Sequence, residues 1–210
     1  MGKVLAATLW RLQPVLKTFH QNDIDRIHIF VEEEIETEEA NEYKKSNLEA
    51  LEKRLTVQEV TEEGEKQKVD LAELEIHKTS LNDAYEFASK AYSELKDENE
   101  VIYEVSGGKK SQAFGLLMAA ERARNADKII HWIKEKSSFH EYNIPMFDFS
   151  LDPRKTEVLE LLDNGVSVSD ISENMEVSRS MVYNHIEDLQ ERGFLDQEKN
   201  LTRKGIFCLK

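Results

Sequence analysis

Two kinds of hydrophobic pattern alternate along the first 150 residues. Short apolar runs recur at residues 4–9, 26–31, 101–105 and 128–133. Runs this short, with almost no polar alternation inside them, predict strands buried on both faces. Between them, apolar residues fall three and four apart, which predicts amphipathic helices. Val15, Leu16 and Phe19 follow Pro14, a residue suited to a first helical turn. Leu48, Leu51 and Leu55 stripe a long polar segment, and Leu81, Tyr85, Phe87, Ala88, Ala91 and Leu95 mark another helix. An Ala-rich stretch runs from Ala113 to about Ala126. Thr56–Val60 and residues 69–76 read as extended segments with a turn near Gly64, and residues 144–149 as a last edge strand. Strands and helices alternating at this spacing predict an α/β fold: a Rossmann-like parallel sheet with helices on both faces over residues 1–150.

The pattern changes at Asp152-Pro153. Proline disfavours a helical residue before it, so a domain junction is expected near residue 150. Three helices then follow closely. The first, residues 154–164, turns Val158, Leu159, Leu161 and Leu162 inward and stops at Gly165. Ser167 and Asp170 have capping-box spacing before Ile171 and Met175. Val177-Ser178 forms a turn, and Ser178 caps a third helix whose Val182, Ile186 and Leu189 share a buried face. Residues 194–201 form a short hairpin with Lys199 near its tip. This order of elements predicts a small α+β winged helix-turn-helix domain over residues 151–210.

That fold places the N-terminal end of its third helix in the major groove of double-stranded DNA. Ser178, Arg179, Ser180, Tyr183 and Asn184 stand on the outward side of that end, with Lys199 on the wing. Arg can bridge guanine and Asn can bridge adenine, so these residue types suit base reading. The plainer alternative is a packing or dimerisation module.

Composition changes this picture in a few respects. Charged residues make up 33% of the 210 positions and hydrophobic ones 40%, as in a globular protein with no bilayer-spanning run. Cys208 is the single cysteine. It excludes an internal disulfide and a cysteine-based zinc site, and with no leader pattern ahead of the first strand it points to a reducing cytoplasm. The six histidines show no ligand spacing, so neither a metal site nor a cofactor is expected. Net charge is −14, which weighs against tight nonspecific DNA binding but not against a basic contact face on an acidic body. The glutamate run at residues 32–39 reads as a solvated helix start favoured by the helix dipole.

Ser106-Gly107-Gly108-Lys109-Lys110 lies between a strand and a helix, at the carboxyl end of a parallel sheet where such folds bind ligands. Glycines admit a phosphate to the backbone, the following helix presents unpaired N–H groups, and two lysines add positive charge. Neither the Walker pattern nor G-x-G-x-x-G is present, which argues against ATP hydrolysis and NAD binding. A simple tight turn is the alternative.

A Rossmann-like domain with Val105-Ser106-Gly107-Gly108-Lys109 after its fourth main strand, followed by a winged helix, resembles the CRISPR-associated Rossmann fold (CARF) regulators of archaea. The resemblance spans the chain in architecture, and its sequence signature lies in this loop and its flanks. It implies a homodimer that binds a cyclic oligoadenylate, commonly the tetra-adenylate, across its twofold axis. It further implies coupling to DNA binding at promoters of CRISPR genes, in antiviral defence. By position, Ser106, Gly107, Gly108, Lys109 and Lys110 would hold phosphate or ribose, with Thr8, Trp10 and Arg11 as the second wall. Small residues are usual in that second loop. Here Arg11 can pair with phosphate, while Trp10 can stack on adenine or fill the core. A second function is open to the same loops: a ring nuclease that cleaves cyclic oligoadenylate, using Ser106, Lys109 and Arg11 around the reacting phosphate. No catalytic residue is assigned, and His131 is the nearest histidine.

Overall fold

In a computed structural model the chain divides into two compact units, Met1–Phe147 and Asp148–Lys210. The structure describes residues 2–33, 37–60, 66–79, 83–142 and 149–209.

The N-terminal unit is built on a six-stranded sheet. Its strands are β1 (Lys3–Thr8), β2 (Ile24–Glu32), β5 (Glu73–Thr79), β6 (Val101–Glu104), β7 (Ala126–Ile133) and β8 (Ser138–Tyr142), in the order β5-β2-β1-β6-β7-β8. All neighbours pair in parallel except β8, which runs antiparallel to β7. Helices α1 (Leu12–Gln21), α2 (Glu38–Arg54), α3 (Ala84–Leu95) and α4 (Lys110–Ala123) connect them.

Side-chain alternation along β1 shows why both faces need cover. Val4 and Ala6 pack with Phe87 of α3 and Leu116 of α4. Leu5 and Ala7, pointing the other way, pack with Val15 of α1 and Leu51 of α2. A central strand apolar from Val4 to Ala7 is stable only between two helical layers. The expected doubly covered, parallel-dominated sheet is therefore present.

Two details differ from the sequence reading. Residues 69–76 are not one extended segment: β4 (Lys66–Asp70) pairs with β3 (Thr56–Val60) in a separate antiparallel hairpin. After a break at Leu71 and Ala72 the chain re-enters the main sheet as β5. The edge strand β8, only partly buried, was missed because its alternation of polar and apolar residues is short and weak. The turn near Gly64, Leu81, and all but Phe149 of the strand expected at residues 144–149 lie outside the described residues.

The C-terminal unit comprises α5 (Pro153–Asp163), α6 (Val168–Asn174), α7 (Arg179–Glu191) and α8 (Arg203–Leu209). Side-chain oxygens of Asp152, Ser167 and Ser178 cap the first three, each accepting from a backbone N–H three residues on. Asp170 does not reach back to a backbone amide here; its carboxylate accepts from the Ser167 hydroxyl at 2.7 Å. Val158, Leu159, Ile171, Val182, Ile186, Leu189 and Phe194 form the core. The wing is a single antiparallel bridge, Leu195 with Leu201, closed by Asp196 N–H on the Asn200 carbonyl at 2.9 Å. Residues from Arg203 onward are helical, so no second wing strand follows.

Candidate ligand cleft and nucleic-acid face

Strand order reverses between β1 and β6, because β2 lies on one side of β1 and β6 on the other. Loops leaving the carboxyl ends of such a pair diverge to opposite faces and leave a crevice. Here those loops are Leu9-Trp10-Arg11 and Val105 to Lys109, so both sequence-marked stretches meet at one place.

The glycine loop is shaped by its contact with β1. A Cβ on Gly107 would lie 2.3 Å from the Thr8 carbonyl oxygen, and one on Gly108 would lie 1.8 Å from Gln112 Oε1. Gly108 also sits at φ 78°, a left-handed conformation that favours glycine. These two residues let the loop lie directly on the end of β1. Thr8 is fully buried beneath it, and its hydroxyl is left without a hydrogen-bond partner among the described residues. Gln112 accepts from the Lys109 N–H at 2.5 Å, which occupies the amide that opens α4.

Ser106 ties the loop to the neighbouring strand. Its hydroxyl accepts from the Trp132 N–H of β7, and its own N–H donates to Glu104 Oε1 at 2.9 Å. Glu104 is wholly buried and its Oε2 has no partner among the described residues. Burial pushes its carboxyl up to about 7, and hydrogen bonds from Ser106 and Trp132 only partly offset that. The sequence reading passed over Glu104, although a lone carboxylate inside the apolar run Val-Ile-Tyr-Glu-Val was a visible signal.

The remaining ligand candidates divide into two groups. Lys109 turns its ammonium to Glu32 at the end of β2, 2.8 Å away, and Lys110 is exposed at the first position of α4. Trp10 is 42% exposed and its ring lies 5.9 Å from that of Tyr43, so it does not fill the core. Arg11 precedes α1 in an extended conformation. It lines an open cleft of about 380 Å³ with Pro14, Ser106, His131, Trp132 and Lys134. The charged side chains lining this cleft are Arg11, Lys134 and Glu135, whereas Lys109, Trp10 and Gly108 line a separate small pocket beside Glu32. Lys134 was not legible in the chain, because the short turn after β7 carries no motif.

In the C-terminal unit, Ser178, Arg179, Ser180, Tyr183 and Asn184 are all exposed at the start of α7, opposite the buried Val182, Ile186 and Leu189. Ser178 is partly committed, since its hydroxyl accepts from the Met181 N–H and contacts Ser180 Oγ at 2.9 Å. Lys199, at φ 68° on the wing, places its ammonium 5.1 Å from the centre of the Tyr183 ring. Wing and helix thus present one continuous surface with Arg179 and Lys199 on it, alongside the positive end of the α7 dipole. Positions 151–210 as a whole hold 12 acidic against 8 basic residues.

Among the described residues no helix is long and apolar enough to cross a membrane. A family described as an HTH domain matches residues 154–202. No curated protein sequence matches the chain. Among solved structures, Enterococcus italicus Csm6 bound to cyclic hexa-2'-fluoro-hexa-dAMP is similar at a TM-score of 0.50 and 14% identity, over 92% of this chain and 55% of that one. Can2 from Sulfobacillus thermosulfidooxidans, in complex with cyclic tetra-adenylate (cA4), is similar at a TM-score of 0.45 and 11% identity, over 98% of this chain and 63% of that one. The chain spans less than two thirds of either protein. At these identities the likeness is one of fold.

Proposed function

Because the chain joins a CARF-type Rossmann-like domain to a helix-turn-helix domain, we propose that it is a DNA-binding regulator controlled by a cyclic oligoadenylate. The observation that carries this reading is the convergence of both sequence-marked loops on the switch point of the sheet, in a chain that also exposes a polar helix start. Residues 1–150 serve as the sensing and dimerising domain and residues 151–210 as the DNA-binding domain. The protein acts as a homodimer in the cytoplasm, with the ligand on the twofold axis and promoters of CRISPR genes as targets.

Each part of the cleft has a chemical task in this reading. Arg11 and Lys134 neutralise phosphates, and Trp10 offers an exposed ring for adenine to stack on. Thr8, Gly107 and Gly108 set the path of the loop that carries Ser106 into the cleft, and Lys110 adds charge at the end of that loop. Lys109 exchanges Glu32 for a phosphate when ligand arrives, which links ligand binding to the end of β2. Movement of the paired sensor domains then changes the separation of the two α7 helices. Half-sites for such dimers lie about 34–36 Å apart, so a small rotation alters affinity. Arg179, Ser180, Tyr183 and Asn184 read the groove, with Ser178 and Lys199 beside them.

A mobility shift on DNA upstream of the chain's own gene, with and without cyclic tetra-adenylate, tests the proposal. Arg179→Ala removes the shift and leaves the fold intact. Lys109→Ala keeps DNA binding and loses the ligand response. If the ligand changes neither DNA affinity nor thermal stability, the sensing role is wrong.

A ring nuclease is the second reading, favoured by Arg11, Ser106, His131 and Lys134 lining one cleft. Linear product after incubation with cyclic tetra-adenylate would establish it, and intact ligand would dismiss it.

A further inference from the structure

On the face of the sheet covered by α3, pairing of β2 with β5 brings together residues far apart in sequence. His28 lies opposite Glu75 and Phe30 opposite His77, so the two histidines are diagonal neighbours on one face. Their ring planes are nearly parallel, 11° apart, with His28 Nδ1 2.9 Å from His77 Nε2. The outer nitrogens both face carboxylates. His28 Nε2 lies 3.8 Å from Glu75 Oε1 and 3.8 Å from Glu98 Oε1, and His77 Nδ1 lies 3.7 Å from Glu94 Oε2. His28 is only 2% exposed, and its Nε2 has no hydrogen-bond partner among the described residues.

Proton counting exposes a conflict in this arrangement. Two neutral imidazoles carry two protons on four nitrogens. One proton fills the shared hydrogen bond, so one outer nitrogen is left turning a bare lone pair toward a carboxylate. A third proton would put a positive charge on a ring almost wholly out of water. A cation in place of the shared proton removes the conflict. Both inner lone pairs then face the cation, and both outer nitrogens become N–H donors aimed at carboxylates. Histidine metal ligands are oriented in this way by acceptors behind them.

We propose that His28 Nδ1, His77 Nε2 and the Glu75 carboxylate bind a divalent first-row transition metal of the zinc class, with Glu94 and Glu98 accepting from the outer N–H groups. Suitable ligand atoms of the three residues all lie within 4.8 Å of one another. Zinc–nitrogen bonds of about 2.0–2.1 Å in tetrahedral geometry need the two inner nitrogens about 3.3 Å apart, a small opening from the separation present. Local charge suits a dication. Glu73, Glu75 and Glu98 surround Arg26, while Glu94 pairs with Lys90, which leaves two negative charges in surplus. Such an ion pins the edge strand β5 to β2 and stabilises the folded N-terminal unit by binding it alone.

The test uses the full chain, free of any histidine tag and first dialysed against a chelator. Zinc is titrated calorimetrically, and cobalt is titrated by its visible absorption, which reports tetrahedral coordination. One equivalent per chain, saturating at micromolar metal, is expected. His77→Asn abolishes this binding, Glu94→Gln weakens it about 10- to 100-fold, and His140→Asn on the exposed edge strand leaves it unchanged. Glu94→Gln serves if His77→Asn does not fold. The proposal is overturned by no saturable uptake, by uptake that survives His77→Asn, or by parental affinity in Glu94→Gln.

Discussion

Replacing Glu104 with glutamine isolates the energetic consequence of a carboxyl buried beneath the glycine loop. Its value of about 7 in the folded chain stands against 4.5 when solvated. The folded chain therefore keeps a proton that the unfolded chain releases, and stability falls as pH rises between those values. The contribution is fully present below about pH 4.5 and lost as pH passes through 7. A difference of about 2.5 units at about 1.36 kcal/mol each amounts to about 3 kcal/mol. Glutamine keeps an oxygen for the Ser106 N–H and cannot ionise, so its variant escapes this loss. Both tryptophans, Trp10 and Trp132, lie in the N-terminal unit, so urea unfolding followed by their fluorescence reads that unit alone. Measured from pH 5 to 8.5, wild type should lose about 2.5 kcal/mol relative to Glu104→Gln, the rest having gone below pH 5, with the divergence nearly complete just above pH 7. Parallel pH profiles for the two proteins would refute the assignment, as would a glutamine variant less stable than wild type at pH 8.

Three further outcomes follow from local geometry. Gly107→Ala forces a methyl against the Thr8 carbonyl oxygen and should cost about 1–3 kcal/mol by the same fluorescence measurement. Ser178→Ala removes the cap of α7. It should destabilise the C-terminal unit by about 1 kcal/mol, seen in urea unfolding followed by circular dichroism on residues 148–210, if that unit is expressed alone and folds. Lys199→Ala should lower the slope of log affinity against log salt by about 1 in DNA titrations, whereas an unchanged slope would remove Lys199 from the contact surface.

Much of the organisation was legible in the chain because it depends on local regularities. Apolar runs without alternation required a sheet covered on both sides, and Ser178 ahead of Val182, Ile186 and Leu189 fixed both the start and the buried face of α7. The glycine loop could be placed at the sheet's carboxyl end from strand order alone. Its glycines could not be explained that way, since the reason for them is the Thr8 carbonyl, about a hundred residues away. Lys109 looked like an anion ligand in sequence, and only packing brought Glu32 to it. Trp10 was open to two readings until its exposure excluded the core.

Periodicity, capping residues and chain breaks thus determined the elements, their buried faces and the two-part organisation, because each depends on neighbours within a few residues. Tertiary structure alone decided which charges meet: Arg11 with Lys134 across one cleft, Glu104 sealed beneath Ser106, and His28 beside His77 through strand pairing. Electrostatic and metal-binding behaviour depends on distance in space and on exclusion of water, and sequence separation encodes neither.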